Sequence, residues 1–148
     1  MPNPPKRFCL KKEYLNEAGY KNLENWIYTK NNIYITRNKQ KYVKNAKEAS
    51  KWENNFPEFI FGKEESLQRY QEMLESNSHL QESLPYLAGR NLGCWCEPEE
   101  ECHADVIIKM FKDVMKETKR IKKEDKEKKR WKREKKRKEK TNIFRLEQ

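Results

Sequence analysis

Three of the four cysteines and one of the two histidines fall within ten positions, from Cys94 to His103. The segment reads Leu92-Gly93-Cys94-Trp95-Cys96-Glu97-Pro98 and is followed by Glu101-Cys102-His103-Ala104-Asp105-Val106. Thiol and imidazole groups bind metals, attack electrophiles and transfer protons. Any chemistry that this chain performs is therefore expected in this cysteine-histidine segment.

Three interpretations of the segment are open. In the first, a zinc ion takes its four tetrahedral ligands from Cys94, Cys96, Cys102 and His103, although this is not a common zinc-finger spacing. In the second, Cys102 or His103 acts with Asp105 as the catalytic part of a reactive or anion-binding pocket. In the third, the cysteines are small core residues, and His103 or Asp105 caps a helix.

The segment is predicted to lie where a strand passes into a helix. Residues 90–95 are expected to form a short strand, whose alternation places Cys94 and Cys96 on one face and Trp95 on the other. Apolar residues at helical spacing follow, and they predict a helix that begins near Cys102 or His103 and ends near residue 118. These apolar residues are Val106, Ile107, Met110, Phe111, Val114 and Met115. Helix N-termini favour anions, so a cysteine there is expected to have a lowered pKa.

The remaining pattern predicts a small single α/β domain with a few short strands flanked by helices. Helices are expected at residues 8–18, around 20–27, at 63–76 and from 78 to about 87, where Ser78 is the expected cap. Residues 33–36 are β-branched and aromatic and predict a strand. Residues 38–55 show no period and predict a long surface loop.

Charge is concentrated near the C-terminal end. Residues 117–140 contain 15 Lys or Arg and 6 Asp or Glu, a net charge of +9 out of +10 for all 148 residues. We therefore divide the chain into a disordered leader (1–7), a domain (8–116) and a basic tail (117–148). The tail is either a nucleic-acid-binding segment or a solvated helix; its candidate binding residues are Lys128, Lys129, Arg130, Trp131, Lys132 and Arg133.

The composition also indicates the compartment. No apolar run approaches the roughly 18 residues of a membrane span, and the N-terminus lacks a signal-peptide core, so we expect no membrane partner. The protein is expected inside the cell, in the cytoplasm or the nucleus. In that reducing setting clustered cysteines fit metal binding, a reactive thiol or burial better than disulfides.

The same segments resemble the domain of unknown function 4326 family, which is found in phages, bacteria and large DNA viruses. The resemblance implies that the expected cytoplasm or nucleus includes that of an infected host cell. Its G-C-W-C-x-P and C-H-x-D-V motifs match residues 93–106, an I-Y-I-G-R-like strand matches 33–37, and S-K-W-x-N-P-F matches 50–56. Thr36 replaces the family's glycine, and Asn55 replaces its proline. The resemblance covers residues 8–116 and implies no activity. It does imply that one site gathers the following residues: Arg37, Lys51, Trp52, Asn54, Cys94, Cys96, Cys102, His103 and Asp105.

These observations lead to two expectations for the function. The first is a pocket at the strand-to-helix turn that binds or processes a nucleotide or nucleic acid and needs no cofactor. In that pocket Arg37, Lys51, Trp52, Asn54, Cys94 and Cys96 contact the ligand. The alternative is a non-enzymatic, zinc-stabilised module that binds nucleic acid or another partner.

Overall fold

A parallel three-stranded sheet forms the centre of the domain. The computed structural model describes residues 2–37 and 50–147. Strands β1 (Lys6–Cys9), β2 (Asn32–Tyr34) and β3 (Asn91–Cys94) are arranged in the order β1-β3-β2, and both pairs are parallel. Parallel neighbours require crossover connections, which the intervening helices provide. The predicted α/β class with a few short strands is confirmed.

Helices occupy most of the described chain. Helices α1 (Lys12–Glu17) and α2 (Leu23–Tyr28) precede β2, and α3 (Glu58–Phe61), α4 (Lys63–Ser76) and α5 (Ser78–Ser83) precede β3. A 3-10 turn (Leu84–Leu87) follows α5, and the last helix is α6 (His103–Glu147). The prediction for α4 is confirmed. The cap of α5 is Asn77 rather than Ser78, because the Asn77 side chain accepts a hydrogen bond from the Leu80 N–H.

The N-terminal prediction is corrected. Residues 8–18 were expected to be one helix after a disordered leader at 1–7, but Lys6 and Arg7 lie in β1, and α1 begins only at Lys12. The Lys6 N–H donates to Arg90 O at 2.9 Å, and the Leu10 N–H donates to Cys94 O at 2.8 Å. Pairing with a strand more than 80 residues away thus overrides the local helical pattern.

One face of the sheet packs against α1 and α2. Trp26 is fully buried there together with Leu10, Leu15 and Tyr34, and Trp95 packs against this cluster. Gly93 lies beneath the Trp26 ring, and a Cβ at this position would come within 2.5 Å of Trp26 Cη2. The glycine of the motif is therefore required by close packing between β3 and α2.

The other face of the sheet carries the cysteines. Side chains alternate along a strand, so Leu92 and Cys94 point away from Trp26, and both are fully buried. Further buried apolar side chains come from α4, α5, the 3-10 turn and the first turns of α6, together with Ile35 and Trp52. Cys94 and Trp95 therefore point to opposite faces of the sheet, as the alternation of side chains along the strand predicted.

The C-terminal residues form a separate compact unit, Met115–Gln148. Helix α6 was expected to end near residue 118, with a solvated extension as one alternative for the tail; the helix continues to Glu147. Ion pairs at helical spacing support it, including Arg130 with Glu134 at 3.3 Å. None of the helices in the described ranges is both long and apolar enough to cross a bilayer.

The predicted loop at 38–55 falls largely outside the described residues. Residues 50–55, which are described, form neither helix nor strand. Lys51, Trp52 and Asn54 belong to this part.

Candidate metal and ligand site

Three thiols converge where β3 passes toward α6. The Sγ atoms of Cys94, Cys96 and Cys102 all lie within 4.8 Å of one another. Cys94 ends β3, Cys96 follows it by two residues, and Cys102 immediately precedes the first residue of α6. Cys94 and Cys102 are buried, whereas Cys96 is partly exposed. We call these three residues the thiol cluster.

His103 is held beside the thiol cluster by a backbone group from another strand. Its Nε2 lies 2.8 Å from the carbonyl oxygen of Ile35, just after β2, and its Nδ1 lies 3.7 Å from Cys102 Sγ. The carbonyl can only accept, so Nε2 carries the hydrogen, and Nδ1 of the neutral ring presents a lone pair toward the thiols. Tyr70 packs edge-on against the imidazole at 5.2 Å between ring centroids.

The start of α6 is stabilised by a reciprocal cap. The Asp105 carboxylate accepts a hydrogen bond from the Cys102 N–H at 3.1 Å, and Cys102 Sγ accepts one from the Ala104 N–H at 3.5 Å. Arg7 of β1 forms an ion pair with Asp105 at 3.0 Å and also donates to the carbonyls of Glu97 and Glu100. Asp105 and Arg7 together fix the turn that carries the cluster.

The three thiols are close enough to hydrogen-bond to one another. Hydrogen bonds from the thiols of Cys102 and Cys96 lower the pKa of Cys94, and the interaction with Cys94 raises the pKa of Cys102. The lowered pKa was expected at the helix start; it belongs instead to the strand cysteine. Burial lowers the pKa of His103, so its ring is neutral at pH 7.

A pocket of about 160 Å³ opens beside the cluster at the carboxyl ends of the strands. Its lining includes all three cysteines and His103, together with Arg37, Asn54 and Lys63. Thr36 also lines it, and the buried Thr36 Oγ1 has no hydrogen-bond partner among the described residues. Ligands of open α/β sheets bind at this edge, so the position agrees with the fold.

Of the three ligand residues predicted near position 52, the structure places only one in the lining of the pocket. Asn54 lines the pocket, and it also accepts a hydrogen bond from the Phe56 N–H and donates one to Ser66 Oγ. Trp52 is buried, and its carbonyl accepts from the Tyr70 hydroxyl at 2.6 Å. The Lys51 ammonium donates a hydrogen bond to Ser83 Oγ at 3.2 Å. Neither Trp52 nor Lys51 is among the residues that line the pocket, so their positions fit support of the fold rather than contact with a ligand.

Only two of the three residues predicted to be catalytic lie at the pocket. Cys102 and His103 line the pocket, whereas Asp105 points to Arg7 and the helix start. Two acids of the turn, Glu97 and Glu100, are paired and do not line the pocket, whereas Glu101 lines it together with Glu58 of α3. Glu97 pairs with Lys11 at 2.6 Å and accepts from the Tyr14 hydroxyl, and Glu100 pairs with Lys63 at 3.0 Å.

Two supporting residues escaped sequence reasoning. Arg7 lay in the segment predicted as a leader, and its role depends on a strand pairing that the local pattern did not indicate. Ser66 is buried in the first turn of α4, where its hydroxyl accepts from Asn54 and donates to Phe56 O at 2.5 Å. The sequence did contain a signal for Ser66, since it lies on the otherwise apolar face of a predicted helix. A hydroxyl that is buried there needs a hydrogen-bond partner from another segment.

Comparison with known proteins gives one finding. A family model described as Domain of unknown function (DUF4326) matches residues 19–113, which is more than half of the chain. The matched range contains β2, β3, the thiol cluster and the start of α6. No curated protein and no solved structure matches.

Proposed function

The chain belongs to the family described as Domain of unknown function (DUF4326), and from that premise we propose that its thiol cluster holds a zinc ion beside a pocket for an anionic ligand. The family description names no activity, so the proposal rests on the residues. The observation that carries it is the convergence of three thiols from separate sequence positions to within 4.8 Å.

The spacing of the cluster fits a zinc ion. Thiolates bound to one zinc at about 2.3 Å lie roughly 3.8 Å apart, so sulfur atoms within 4.8 Å require shifts of about 1 Å or less. The hydrogen bonds that lower the pKa of Cys94 favour the charged form that a metal needs. A bound zinc ion would tie β3 to the start of α6 and stabilise the turn between them.

His103 is the best placed residue to complete the coordination. Its Nδ1 lies 3.7 Å from Cys102 Sγ, close to the roughly 3.6 Å expected between nitrogen and sulfur ligands of one tetrahedral zinc. Metal-binding histidines usually donate their other ring N–H to a carbonyl or carboxylate, and Ile35 O occupies that position. His103 lies outside the group whose atoms are all within 4.8 Å, so it would approach the other sulfurs on metal binding.

The pocket offers hydrogen-bond donors to an anionic group such as the phosphate of a nucleotide or nucleic acid. Arg37 and Lys63 supply positive charge beside the carboxylates of Glu58 and Glu101, and Thr36 supplies a hydroxyl that has no hydrogen-bond partner among the described residues. A volume of about 160 Å³ holds about five waters at roughly 30 Å³ each, less than typical ligand pockets of about 300 Å³ or more. One phosphate or base fits inside, and the rest of a nucleotide would lie outside.

The purely structural interpretation of the cysteines agrees less well with these observations. Cysteines that serve only as small apolar residues have no reason to converge in the lining of an open pocket, or to place an imidazole nitrogen toward their sulfurs. Cys9 is the contrast within the same chain. It is buried at the end of β1, but its sulfur is not part of the group.

Metal analysis of the purified full chain tests the zinc site. We expect about one zinc per chain, and a loss of at least half in Cys94→Ser, Cys96→Ser and Cys102→Ser. Cys9→Ser is the matched control and should keep the metal. Cobalt substitution reports thiolate coordination independently through its absorption. Metal-free protein, or a Cys102→Ser variant that keeps full zinc and the same cobalt spectrum, would contradict the proposal.

Titration calorimetry with nucleoside mono-, di- and triphosphates tests the ligand. Arg37→Gln should weaken binding by about 10-fold or more, since a hydrogen bond to a charged group contributes about 1.5–3 kcal/mol. Arg90→Gln is the control, because Arg90 donates to Tyr86 O and is not among the lining residues. Equal affinity in both variants would show that the nucleotide does not use this pocket.

A further inference from the structure

The exposed part of α6 carries a row of positive charge on one side. The sequence predicted the net charge of this segment and a continuous candidate run at 128–133, but the helix determines where each charge lies: Lys129, Arg130 and Arg133 fall in one row, whereas Lys128, Trp131 and Lys132 lie on other faces. Lys and Arg recur with a seven-residue period, as K-K-x-x-K at 122–126, K-R-x-x-R at 129–133 and K-R-x-x-K at 136–140. With Lys119 these ten residues form what we call the basic stripe: Lys119, Lys122, Lys123, Lys126, Lys129, Arg130, Arg133, Lys136, Arg137 and Lys140.

A seven-residue period keeps a row on one side of a helix. At 3.6 residues per turn such a row drifts only about 20° per repeat, so three repeats remain on one face. All ten members of the basic stripe are exposed. None of the six acids between residues 117 and 140 falls on this face, although Asp125 and Glu134 flank its edges.

The acids stabilise the helix from outside the stripe. Glu117 and Glu124 both pair with Arg120, which lies on another face, and Glu134 pairs with Arg130 at the edge of the stripe. A helix that used its charges only for solvation and internal ion pairs would distribute acids around all its faces. Here one face is left entirely basic.

We infer that the basic stripe is a binding surface for double-stranded nucleic acid, through the phosphates and without base recognition. From Lys119 to Lys140 the stripe spans about 32 Å at 1.5 Å per residue, close to one turn of a duplex at about 34 Å. Closely spaced cations along that length match the regular spacing of backbone phosphates. The stripe lies outside the matched family range, and the inference is independent of the zinc site.

A membrane surface fits the same helix less well. Interfacial helices bury a continuous apolar face opposite their charges. Between residues 118 and 140 the apolar side chains are Ile121 and Trp131, and acids and lysines surround them. Trp131 lies away from the stripe, with the Lys135 ammonium 5.2 Å above its ring, so stacking of Trp131 on a base is not part of this inference.

Two variants with the same net charge test the surface. The stripe variant combines Lys126→Gln, Lys129→Gln and Lys136→Gln; the control combines Lys128→Gln, Lys132→Gln and Lys138→Gln on the other faces. Both remove three lysines from the same helical segment and keep a good helix former at each position. Circular dichroism checks that the two variants retain equal helix content.

Binding of the full chain to fluorescent DNA and RNA duplexes of about 20 base pairs is measured by anisotropy over a range of salt concentrations. The stripe variant should bind about 10-fold more weakly or worse, with a salt slope reduced by about 2 to 3, while the control changes less than about 3-fold. The two duplexes distinguish DNA from RNA as the source of the phosphates. Equal losses in both variants, absence of duplex binding, or stripe-dependent binding only to phosphatidylserine vesicles would each overturn the inference.

Discussion

At the start of α6, Cys102 is connected to two systems through different atoms. Its sulfur belongs to the thiol cluster, and its backbone N–H donates to the Asp105 carboxylate. Asp105 in turn binds Arg7 from β1. The aspartate that sequence reasoning placed in a catalytic set therefore has a complete set of partners in the cap.

For this reason Asp105→Ala should reduce stability rather than chemistry. Loss of the capping carboxylate is expected to lower the free energy of unfolding by about 1 kcal/mol in chemical denaturation, with zinc content unchanged. Asp113→Ala, an exposed carboxylate on the same helix, should have little effect. A variant of Asp105 with normal stability but no ligand binding would favour the catalytic interpretation instead.

Between β3 and α2, one glycine determines how closely the elements approach. A Cβ on Gly93 would lie 2.5 Å and 2.6 Å from two atoms of the Trp26 ring and 3.0 Å from Leu10. Because Trp26 is fully buried and packs in one cluster with Leu15 and Tyr34, its ring can withdraw only by displacing other core side chains. The motif glycine thus serves the face of the sheet opposite to the thiols.

Gly93→Ala should therefore lower the free energy of unfolding by about 1–3 kcal/mol, the usual cost of overpacking. The cost should be smaller in a Trp26→Phe background, since phenylalanine lacks the ring atoms that would clash. A double-mutant cycle followed by chemical denaturation measures this coupling. The same cost in both backgrounds would show that the clash is not the cause.

Along α6, helix stability should depend on pH through Glu117. A hydrogen bond from Arg120 lowers the pKa of this carboxyl below its usual 4.5. Its stabilisation is present above about pH 4.5 and is lost as the pH falls through the lowered pKa. Helicity at 222 nm should thus be slightly higher for the wild type than for Glu117→Gln at pH 7, and the difference should vanish in strong acid. A helicity difference that does not change with pH would show that the ion pair between Glu117 and Arg120 is not its cause.

At the scale of the whole molecule, the chain consists of two compact units, Met1–Val114 and Met115–Gln148. The thiol cluster, its pocket and the matched family range belong to the first, and the basic stripe belongs to the second. The two proposals therefore concern different units and can fail separately.

Deletion of residues 119–148 should separate them experimentally. The shortened chain keeps every residue of the thiol cluster, so its zinc content, measured by metal analysis, should stay at about one per chain. Binding to duplex nucleic acid should be lost in the same preparation. Zinc loss with a folded circular dichroism spectrum would contradict this division of roles.

The sequence by itself determined the features that depend on neighbouring residues. The helical period at 63–76, the β-branched run near Ile33 and the alternation of Cys94 and Trp95 all predicted what the structure contains, because local periodicity sets which side chains share a face. The motifs also identified the family. The concentration of thiols and the charge of the tail were likewise visible without coordinates.

Only the tertiary structure decided the features that depend on distant partners. β1 exists because its backbone pairs with β3, and the orientation of His103 depends on a carbonyl 68 positions earlier. The burial of Trp52 and the partners of Asp105 depend in the same way on other elements. Hydrogen bonds and packing between segments far apart in sequence leave no local pattern, so no reading of nearby residues could have shown them.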